Sequence, residues 1–182
     1  MNQQIAYVSF VRPINWDTVT PLLNACNQIV NSGAQQLCLL IGSPGGQVDP
    51  GFAIYNQLIG LPIEVITHNI SCVDSMANVV FLAGSKRRAC TNATFLFHGI
   101  KWGSPSPVEL TRAQLMEIAS SLQGAEAKMR DVIVSKSTLT DEEVDSFFIQ
   151  GVSKDTDFAL SKGVIHAIED VNIPKGVTII QV

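Results

Sequence analysis

The sequence predicts an α/β fold in which helices flank a mainly parallel sheet. Short apolar segments alternate with amphipathic helical segments, and turns containing glycine, proline or asparagine separate them. Repeated strand, turn and helix units of this length favour a parallel sheet with helices on its faces. The 182 residues, 46% of them hydrophobic, are enough for one domain spanning residues 1–182 and too few for two ordinary domains.

The first half of the chain contains four predicted strands and three predicted helices. Asn15 is the expected N-cap of a helix over 16–31, and Gly33 lies just beyond the end of that helix. Two shorter helices are expected at 50–59 and 75–82. The strands are expected in the apolar runs at 5–11, 36–41, 63–67 and 94–97.

The second half of the chain is more helical. A capping-box pattern from Thr111 to Gln114 predicts the start of a long helix that continues to about Ser135. Thr140 begins another helix, and a short helix over 157–162 is ended by Gly163. Residues 177–182 are expected to add a last strand.

Charge and hydropathy exclude two classes of partner and favour a third. The formal net charge is −4 and the longest basic run is only residues 86–88, so we expect no nucleic acid partner. The longest apolar stretch, about residues 78–84, is far shorter than the roughly 20 residues that cross a bilayer, so no membrane partner is expected. The mean hydropathy of +0.25 indicates apolar surface that another copy of the chain covers, which predicts a homo-oligomer.

The cysteines indicate a reducing compartment. Four cysteines lie in apolar or helical contexts without C-x-x-C spacing, so we expect reduced core residues and no metal ligands. The first residues lack the basic and apolar regions of a secretory signal, and no phosphate-binding lysine loop is present. The sequence therefore predicts a cytoplasmic protein without a metal or another cofactor.

A glycine turn after a predicted strand is the first candidate element of an active site. Pro44 fixes one backbone angle, while Gly45 and Gly46 can adopt positive φ and approach a ligand closely. Their N–H groups can then face a bound carbonyl oxygen. The same turn is also common as plain geometry between a strand and a helix, so the motif alone leaves both interpretations open.

Ser75 and His98 are the candidate nucleophile and base. Ser75 stands where a predicted helix begins, so the N–H of Met76 is free to receive an oxyanion, although serine is also a favoured N-cap without catalysis. His98 follows a predicted strand, as His68 does, and His166 lies in a short apolar run, so residue type alone does not choose among the three. A serine needs a base and fixed N–H donors to act as a nucleophile, so the combination predicts acyl-transfer hydrolysis.

These segments resemble the proteolytic subunit of the Clp protease, which shares its fold with crotonase-type acyl-CoA enzymes. Residues 43–55 resemble its oxyanion loop and the following helix, residues 74–84 its nucleophile segment, and residues 97–98 the segment that carries its base. The likeness extends from about residue 5 to residue 168. It implies a ClpP/crotonase-like fold of repeated β-β-α and β-α units with a long handle helix.

The resemblance also implies roles for four residues. Ser75 would be the nucleophile and His98 the general base and later acid, while Gly46 and Met76 would offer backbone N–H groups to the oxyanion. Residues 99–110 resemble the family's handle region, through which two rings join, but they run longer than usual and contain Lys101, Trp102 and the Ser-Pro-Ser-Pro stretch 104–107. This departure implies an altered substrate groove.

The acid of the family's triad is missing. The family has an aspartate about twelve residues before a glycine matched by Gly163, and that position is Gly151 here. Loss of a triad acid costs about 10⁴ in kcat, so the departure implies a substitute acid or low activity. The nearest acids in sequence are Asp145, Asp155 and Asp157, each of which also fits a solvated helix end.

Three hypotheses follow. The first is a serine endopeptidase that forms rings of six or seven subunits and hydrolyses peptides or unfolded chains. An ATPase unfoldase partner is not expected for it, because the family's N-terminal docking segment has no counterpart before the first predicted strand. The second is an oligomeric homologue with weak or no hydrolysis that acts as a scaffold or binding module. The third is a crotonase-like acyl-CoA enzyme, although no pair of site carboxylates is evident.

Overall fold

The computed structural model describes residues 5–103 and 107–182. Its strands are β1 (Ile5–Phe10), β2 (Gln36–Ser43), β3 (Glu64–Asp74), β4 (Lys86–Ala89), β5 (Thr94–Leu96), β6 (Ser153–Lys154), β7 (Ala167–Ile168) and β8 (Ile179–Gln181). Its helices are α1 (Trp16–Asn31), α2 (Val48–Gly60), α3 (Met76–Phe81), α4 (Arg112–Lys136), α5 (Asp141–Gln150) and α6 (Thr156–Ser161). Most of the Ser-Pro-Ser-Pro stretch, at 104–106, lies outside the described residues.

Parallel pairing around β3 organises the sheet. The strand order is β6-β5-β3-β2-β1-β8, and β4 pairs with β3 and β7 beside this path. One edge of β3 pairs with β2, while the other edge pairs first with β4 and then with β5. Within the described ranges, β5 and β6 form the only antiparallel pair. The predicted α/β architecture with a mainly parallel sheet flanked by helices is therefore confirmed.

Most of the buried apolar side chains form one large cluster with the helices, and a smaller cluster around Tyr7, Cys38, Leu40 and Ile66 is separate from it. Every residue of α3 is buried, whereas only Met129 and Ile133 are buried in α4. The helix α1 begins at its predicted residue because Asn15 accepts hydrogen bonds from the N–H groups of Asp17 and Thr18. The prediction of one domain over residues 1–182 stays a prediction.

The prediction for β3 was wrong at its C-terminal end, which lies at Asp74 and not at residue 67. The polar residues that seemed to end the strand are buried with hydrogen-bond partners. His68 Nε2 donates to the carbonyl oxygen of Glu169 at 2.9 Å, and Asn69 Nδ2 donates to that of Thr94 at 2.9 Å. Because these bonds satisfy both side chains, the strand continues as far as the candidate site.

The basic run at residues 86–88 forms β4, which the sequence analysis did not predict. Arg87 is only 6% exposed, and burial lowers the pKa of its guanidinium. Its nitrogens donate to four main-chain carbonyl oxygens, those of Gly84, Lys136, Gly163 and Val164. The charge therefore binds neighbouring segments together inside the fold and is not a surface patch.

Two further observations concern the cysteines and the length of the apolar helices. All four cysteines are free, and burial raises the pKa of Cys26 and of Cys38 to about 11. Within residues 5–103 and 107–182, no helix is long and apolar enough to span a bilayer.

Candidate active site

Ser75 forms a strained turn between β3 and α3. Its φ of 54° and ψ of −126° make it the only residue other than glycine with positive φ in the described part of the chain. Such a conformation costs about 1–3 kcal/mol and persists only where the surroundings hold it. The Ser75 side chain makes no capping hydrogen bond to α3. Ser75 therefore occupies the N-cap position of α3 without its side chain acting as the cap.

Hydrogen bonds to β5 hold the Ser75 turn. The N–H of Ser75 donates to the carbonyl oxygen of Leu96 at 2.7 Å. The buried Asn78 amide donates to the carbonyl oxygens of Ser75 and Leu96, at 3.0 and 2.9 Å. Sequence reasoning missed Asn78, because an asparagine within an apolar helix gives no sign of the strand that it contacts.

The glycine loop packs directly against this turn. Gly45 has φ of 83° and Gly46 has φ of 149°. The N–H of Ile14 donates to the carbonyl oxygen of Gly45 at 2.8 Å, which fixes the loop from its other side. A Cβ added to Gly45 would lie 2.5 Å from the carbonyl oxygen of Asp74, so only glycine allows this approach.

Two backbone donors are available beside the serine. Among the described residues, neither the N–H of Gly46 nor that of Met76 donates a hydrogen bond within the chain. Both residues line one cavity of about 240 Å³ together with Ser75 and His98. The structure thus brings all four predicted site residues together, and the rest of the lining is formed by Pro44, Val48, Ile100, Lys101 and Met129.

The protonation of His98 follows from its own hydrogen bond. Its Nδ1 lies 2.7 Å from the carbonyl oxygen of Gly99. A carbonyl oxygen only accepts, so Nδ1 carries the proton and Nε2 of the neutral ring keeps a free lone pair. No hydrogen bond joins Ser75 and His98 in the described chain, and such contacts are often looser in a resting site than in a substrate complex.

The other two histidines are engaged elsewhere. His68 donates to Glu169, and His166 Nδ1 accepts from the N–H of Arg87 at 3.1 Å. Burial lowers the pKa of both rings. Within the part of the chain that the structure describes, no group of three His, Cys, Asp or Glu side chains is arranged to hold a metal ion.

Gly151, the position that the resemblance assigns to the acid of the triad, lies beside His98. Gly151 ends α5 with φ of 59°, and a Cβ added there would lie 3.9 Å from the Cβ of His98. The three acids proposed as substitutes have other places. Asp155 caps α6 through the N–H of Phe158 at 2.8 Å, Asp145 pairs with Arg130 at 2.9 Å, and Asp157 is exposed in the first turn of α6.

Two carboxylates that the sequence analysis did not consider lie near His98. Asp74 is the partner of Leu96 in the pairing of β3 with β5. Burial raises the pKa of Asp74, whereas the neighbouring Cys72 thiol and the charge of His98 lower it. Glu126 in α4 accepts from the N–H of Ile100 at 2.8 Å. Asp74 was noted only as part of the nucleophile segment, and Glu126 has no sequence pattern that separates it from a solvated helix residue.

Comparison with known proteins gives consistent results. A family model described as Clp protease matches residues 6–170. The chain is 30% identical over 132 residues to the ATP-dependent Clp protease proteolytic subunit 2 of Treponema denticola. The matched region covers 69% of this chain and 58% of that relative. It is 26% identical over 141 residues to the proteolytic subunit 1 of Chlamydia pneumoniae, covering 74% of this chain and 73% of that relative. For subunit 1 of Mycobacterium bovis the identity is 28% over 106 residues, and 53% of each chain is covered. The matches thus span little more than half of the length of two of these three relatives.

Proposed function

The chain belongs to the Clp protease family, and from this premise we propose that it is a serine peptidase that hydrolyses peptide bonds through Ser75 and His98. One observation carries the proposal. The serine, the histidine and the unpaired N–H donors of Gly46 and Met76 line a single cavity. Its apolar walls, which include Val48 and Met129, fit the side chains of a peptide or an unfolded chain.

The chemistry assigns one step to each group. His98 Nε2 takes the proton of Ser75 Oγ as that oxygen attacks the peptide carbonyl, and the N–H groups of Gly46 and Met76 receive the oxyanion. The tetrahedral intermediate then breaks its C–N bond, and His98 gives the proton to the leaving amine. Water, activated by His98 in the same way, hydrolyses the ester and restores the serine.

We expect low turnover from this arrangement. A carboxylate beside the base holds the correct tautomer and stabilises the imidazolium, and its loss elsewhere costs about 10⁴ in kcat. The resemblance matches that acid to Gly151, and a Cβ added there would lie 3.9 Å from the Cβ of His98. The carbonyl oxygen of Gly99 supports the same tautomer, although it bears no full charge. This departure is also the observation that favours the alternative of a scaffold without hydrolysis.

We further propose a homo-oligomer, in the form of rings of six or seven subunits. The N-terminal half of α4 exposes large apolar side chains, with Leu115 at 53% and Met116 at 62% exposure. Exposed apolar side chains that form a contiguous patch mark interaction sites, and the exposure of these two supports such a patch on α4. A cytoplasmic location is also a proposal, supported by the four unpaired cysteines.

Labelling with a fluorophosphonate probe tests the peptidase proposal. We expect the wild-type protein to be labelled, Ser75→Ala to lose all labelling and His98→Ala to lose most of it, because the probe reacts only with an activated serine. Ser71→Ala is the matched control, since this exposed serine lies four residues earlier on the same strand and should leave labelling unchanged.

Two results would overturn the proposal in different directions. Absence of labelling of the wild type at high probe concentration would favour the scaffold or binding module. Binding of an acyl-CoA, measured by calorimetry, would instead favour the crotonase-like enzyme.

A further inference from the structure

One peptide group connects His98 to helix α4. Nδ1 of His98 donates to the carbonyl oxygen of Gly99 at 2.7 Å, and the N–H of Ile100 donates to Oε1 of Glu126 at 2.8 Å. The Gly99 carbonyl and the Ile100 N–H belong to the same amide. An imidazole, an amide and a carboxylate therefore form a continuous chain of hydrogen bonds.

The imidazole and the carboxylate at the two ends set the polarity of this series of hydrogen bonds. A carboxylate that accepts from the amide N–H draws the hydrogen towards it and shifts electron density onto the carbonyl oxygen. That oxygen becomes a stronger acceptor for Nδ1–H, because hydrogen bonds in a series polarise one another. A charged acceptor strengthens its own bond as well. The amide thus transmits part of the effect of the carboxylate to the ring.

We propose that Glu126 is a positioning residue that orients and polarises His98 through the Gly99–Ile100 amide, and so replaces the carboxylate that is missing at Gly151. The inference rests on the proposed peptidase function only for its catalytic consequence. The Nδ1–H tautomer that it stabilises leaves Nε2 free to take a proton from Ser75.

The surroundings of Gly99 fix the amide in place. Its N–H donates to the carbonyl oxygen of Phe148 at 3.0 Å. A Cβ added to Gly99 would lie 2.6 Å from Oε1 of Glu126 and 3.3 Å from that same Phe148 oxygen. A side chain at this position would displace the Glu126 carboxylate and crowd the Phe148 oxygen, so a glycine here lets the carboxylate reach the amide.

Two other charged groups face His98 from the elements around it. Lys101, two residues beyond the amide, lines the cavity that holds Ser75 and His98 and also the cavity of about 540 Å³ between Glu126 and Gly151. Asp74 interacts with His98 by charge from β3, where burial raises the pKa of Asp74 and the charge of His98 lowers it. Asp74 is thus the rival source of orientation, and the test separates it from Glu126.

Nuclear magnetic resonance of ¹⁵N-labelled histidine tests the proposal in a Ser75→Ala background, where no turnover is required. We expect neutral His98 to be in the Nδ1–H form. Glu126→Gln keeps an oxygen for the Ile100 N–H but removes the charge, so the Nδ1 proton should move upfield and the Nδ1–H share should fall. With Ser75 intact, kcat/KM should fall about tenfold, the change expected when one polarised hydrogen bond is weakened.

Controls distinguish the effect of Glu126 transmitted through the Gly99–Ile100 amide, which we call the relay, from a general change in structure. Glu117→Gln removes an exposed carboxylate from the same helix and should change neither readout. The resonances of His68 and His166 should stay in place in every variant, which reports that the fold is intact. Asp74→Asn should leave the Nδ1 proton closer to its wild-type position than Glu126→Gln does.

The outcomes separate this inference from the proposed function. If Asp74→Asn moves the Nδ1 proton and Glu126→Gln does not, the relay is overturned in favour of Asp74. Unchanged His98 signals in Glu126→Gln also overturn the relay, whether or not the wild type reacts with the fluorophosphonate probe. A shifted Nδ1 proton in a protein that the probe never labels would support the relay and refute the peptidase.

Discussion

The nucleophile side and the histidine side of the candidate site are held in different ways. On the nucleophile side the candidate groups are the main-chain N–H groups of Gly46 and Met76 and a serine in a strained turn next to α3, which is buried along its whole length. On the histidine side, the ring depends on a loop and on α4, a helix of 25 residues with two buried side chains. Backbone packing thus fixes the first side, whereas charges and individual contacts fix the second.

The largest expected effect comes from the nucleophile side. Gly45→Ala places a Cβ 2.5 Å from the carbonyl oxygen of Asp74 and 2.7 Å from the Cβ of Ser75, at a φ of 83°. The loop or the turn must move, so we expect probe labelling to slow about 10³-fold, as when an oxyanion donor is lost. Strain at this φ should also lower the free energy of unfolding by about 1–3 kcal/mol, as measured by urea titration.

Gly60→Ala is the control for this change. Gly60 ends the helix that follows the same loop, and a Cβ added there would meet no atom within 4 Å. We expect labelling at the wild-type rate and unchanged or slightly higher stability. Normal labelling of Gly45→Ala would show that the loop is not held by close packing, and the contrast between the two sides would fail.

A smaller effect separates the two faces of α4. Met129 is 1% exposed and Met116 is 62% exposed. We expect Met129→Ala to lower the free energy of unfolding by about 2–5 kcal/mol, because truncation leaves a cavity. Met116→Ala should change it by no more than about 0.5 kcal/mol when both are compared at one protein concentration.

The exposed face has its own readout in the assembly. Met116→Glu should shift sedimentation towards smaller species, because a charge in an apolar interface is costly to bury. Equal loss of stability in Met129→Ala and Met116→Ala would show that both faces of α4 are packed within the subunit. The side chains of α4 would then be packed within the subunit on both faces, as those of α3 are.

The smallest expected effect concerns histidines outside the site. Burial lowers the pKa of His68, so below about 6.5 the unfolded chain binds more protons than the folded one. The free energy of unfolding should therefore fall as the pH is lowered from 7 towards 5.5. His68→Gln keeps an N–H donor for the carbonyl oxygen of Glu169, and its stability should depend less on pH, while its labelling by the probe stays close to that of the wild type.

The free energy of unfolding of His68→Gln should still depend on pH to some extent, because burial lowers the pKa of His166 as well. Urea titration at each pH measures this dependence. If the free energy of unfolding changes with pH equally in the wild type and in His68→Gln, His68 is not the source of the effect. A large change in the labelling rate of His68→Gln would mean that stability and reactivity are not carried by separate histidines.

The nucleophile side could be predicted from the sequence because its signals are local. A glycine turn after a strand, a serine at a helix start and a histidine at a strand end meet wherever parallel strands place their carboxyl ends together. Those rules led to Gly46, Ser75, Met76 and His98, which line one cavity. The start of α1 was predictable for the same reason, since its cap lies within three residues of it.

The link from His98 to α4 could not be predicted in this way, because it joins residues that are distant in sequence. Glu126 reaches an amide 26 residues away, and on a helix with few buried residues it looks like any solvated glutamate. The full length of β3 was missed because the partners of His68 and Asn69 are 101 and 25 residues away. A polar residue inside a strand becomes interpretable only when its partner is known.

The close packing of Gly45 against Asp74 and Ser75 has a consequence for how such a site changes over evolutionary time. Main-chain donors do not depend on a side chain of their own and are lost only when the packing around the glycine loop changes, whereas a base or an acid disappears when its own residue is exchanged. If Gly151 does stand where the family has its acid, as the resemblance implies, a chain of this fold can lack that carboxylate while keeping the backbone groups of the loop in place.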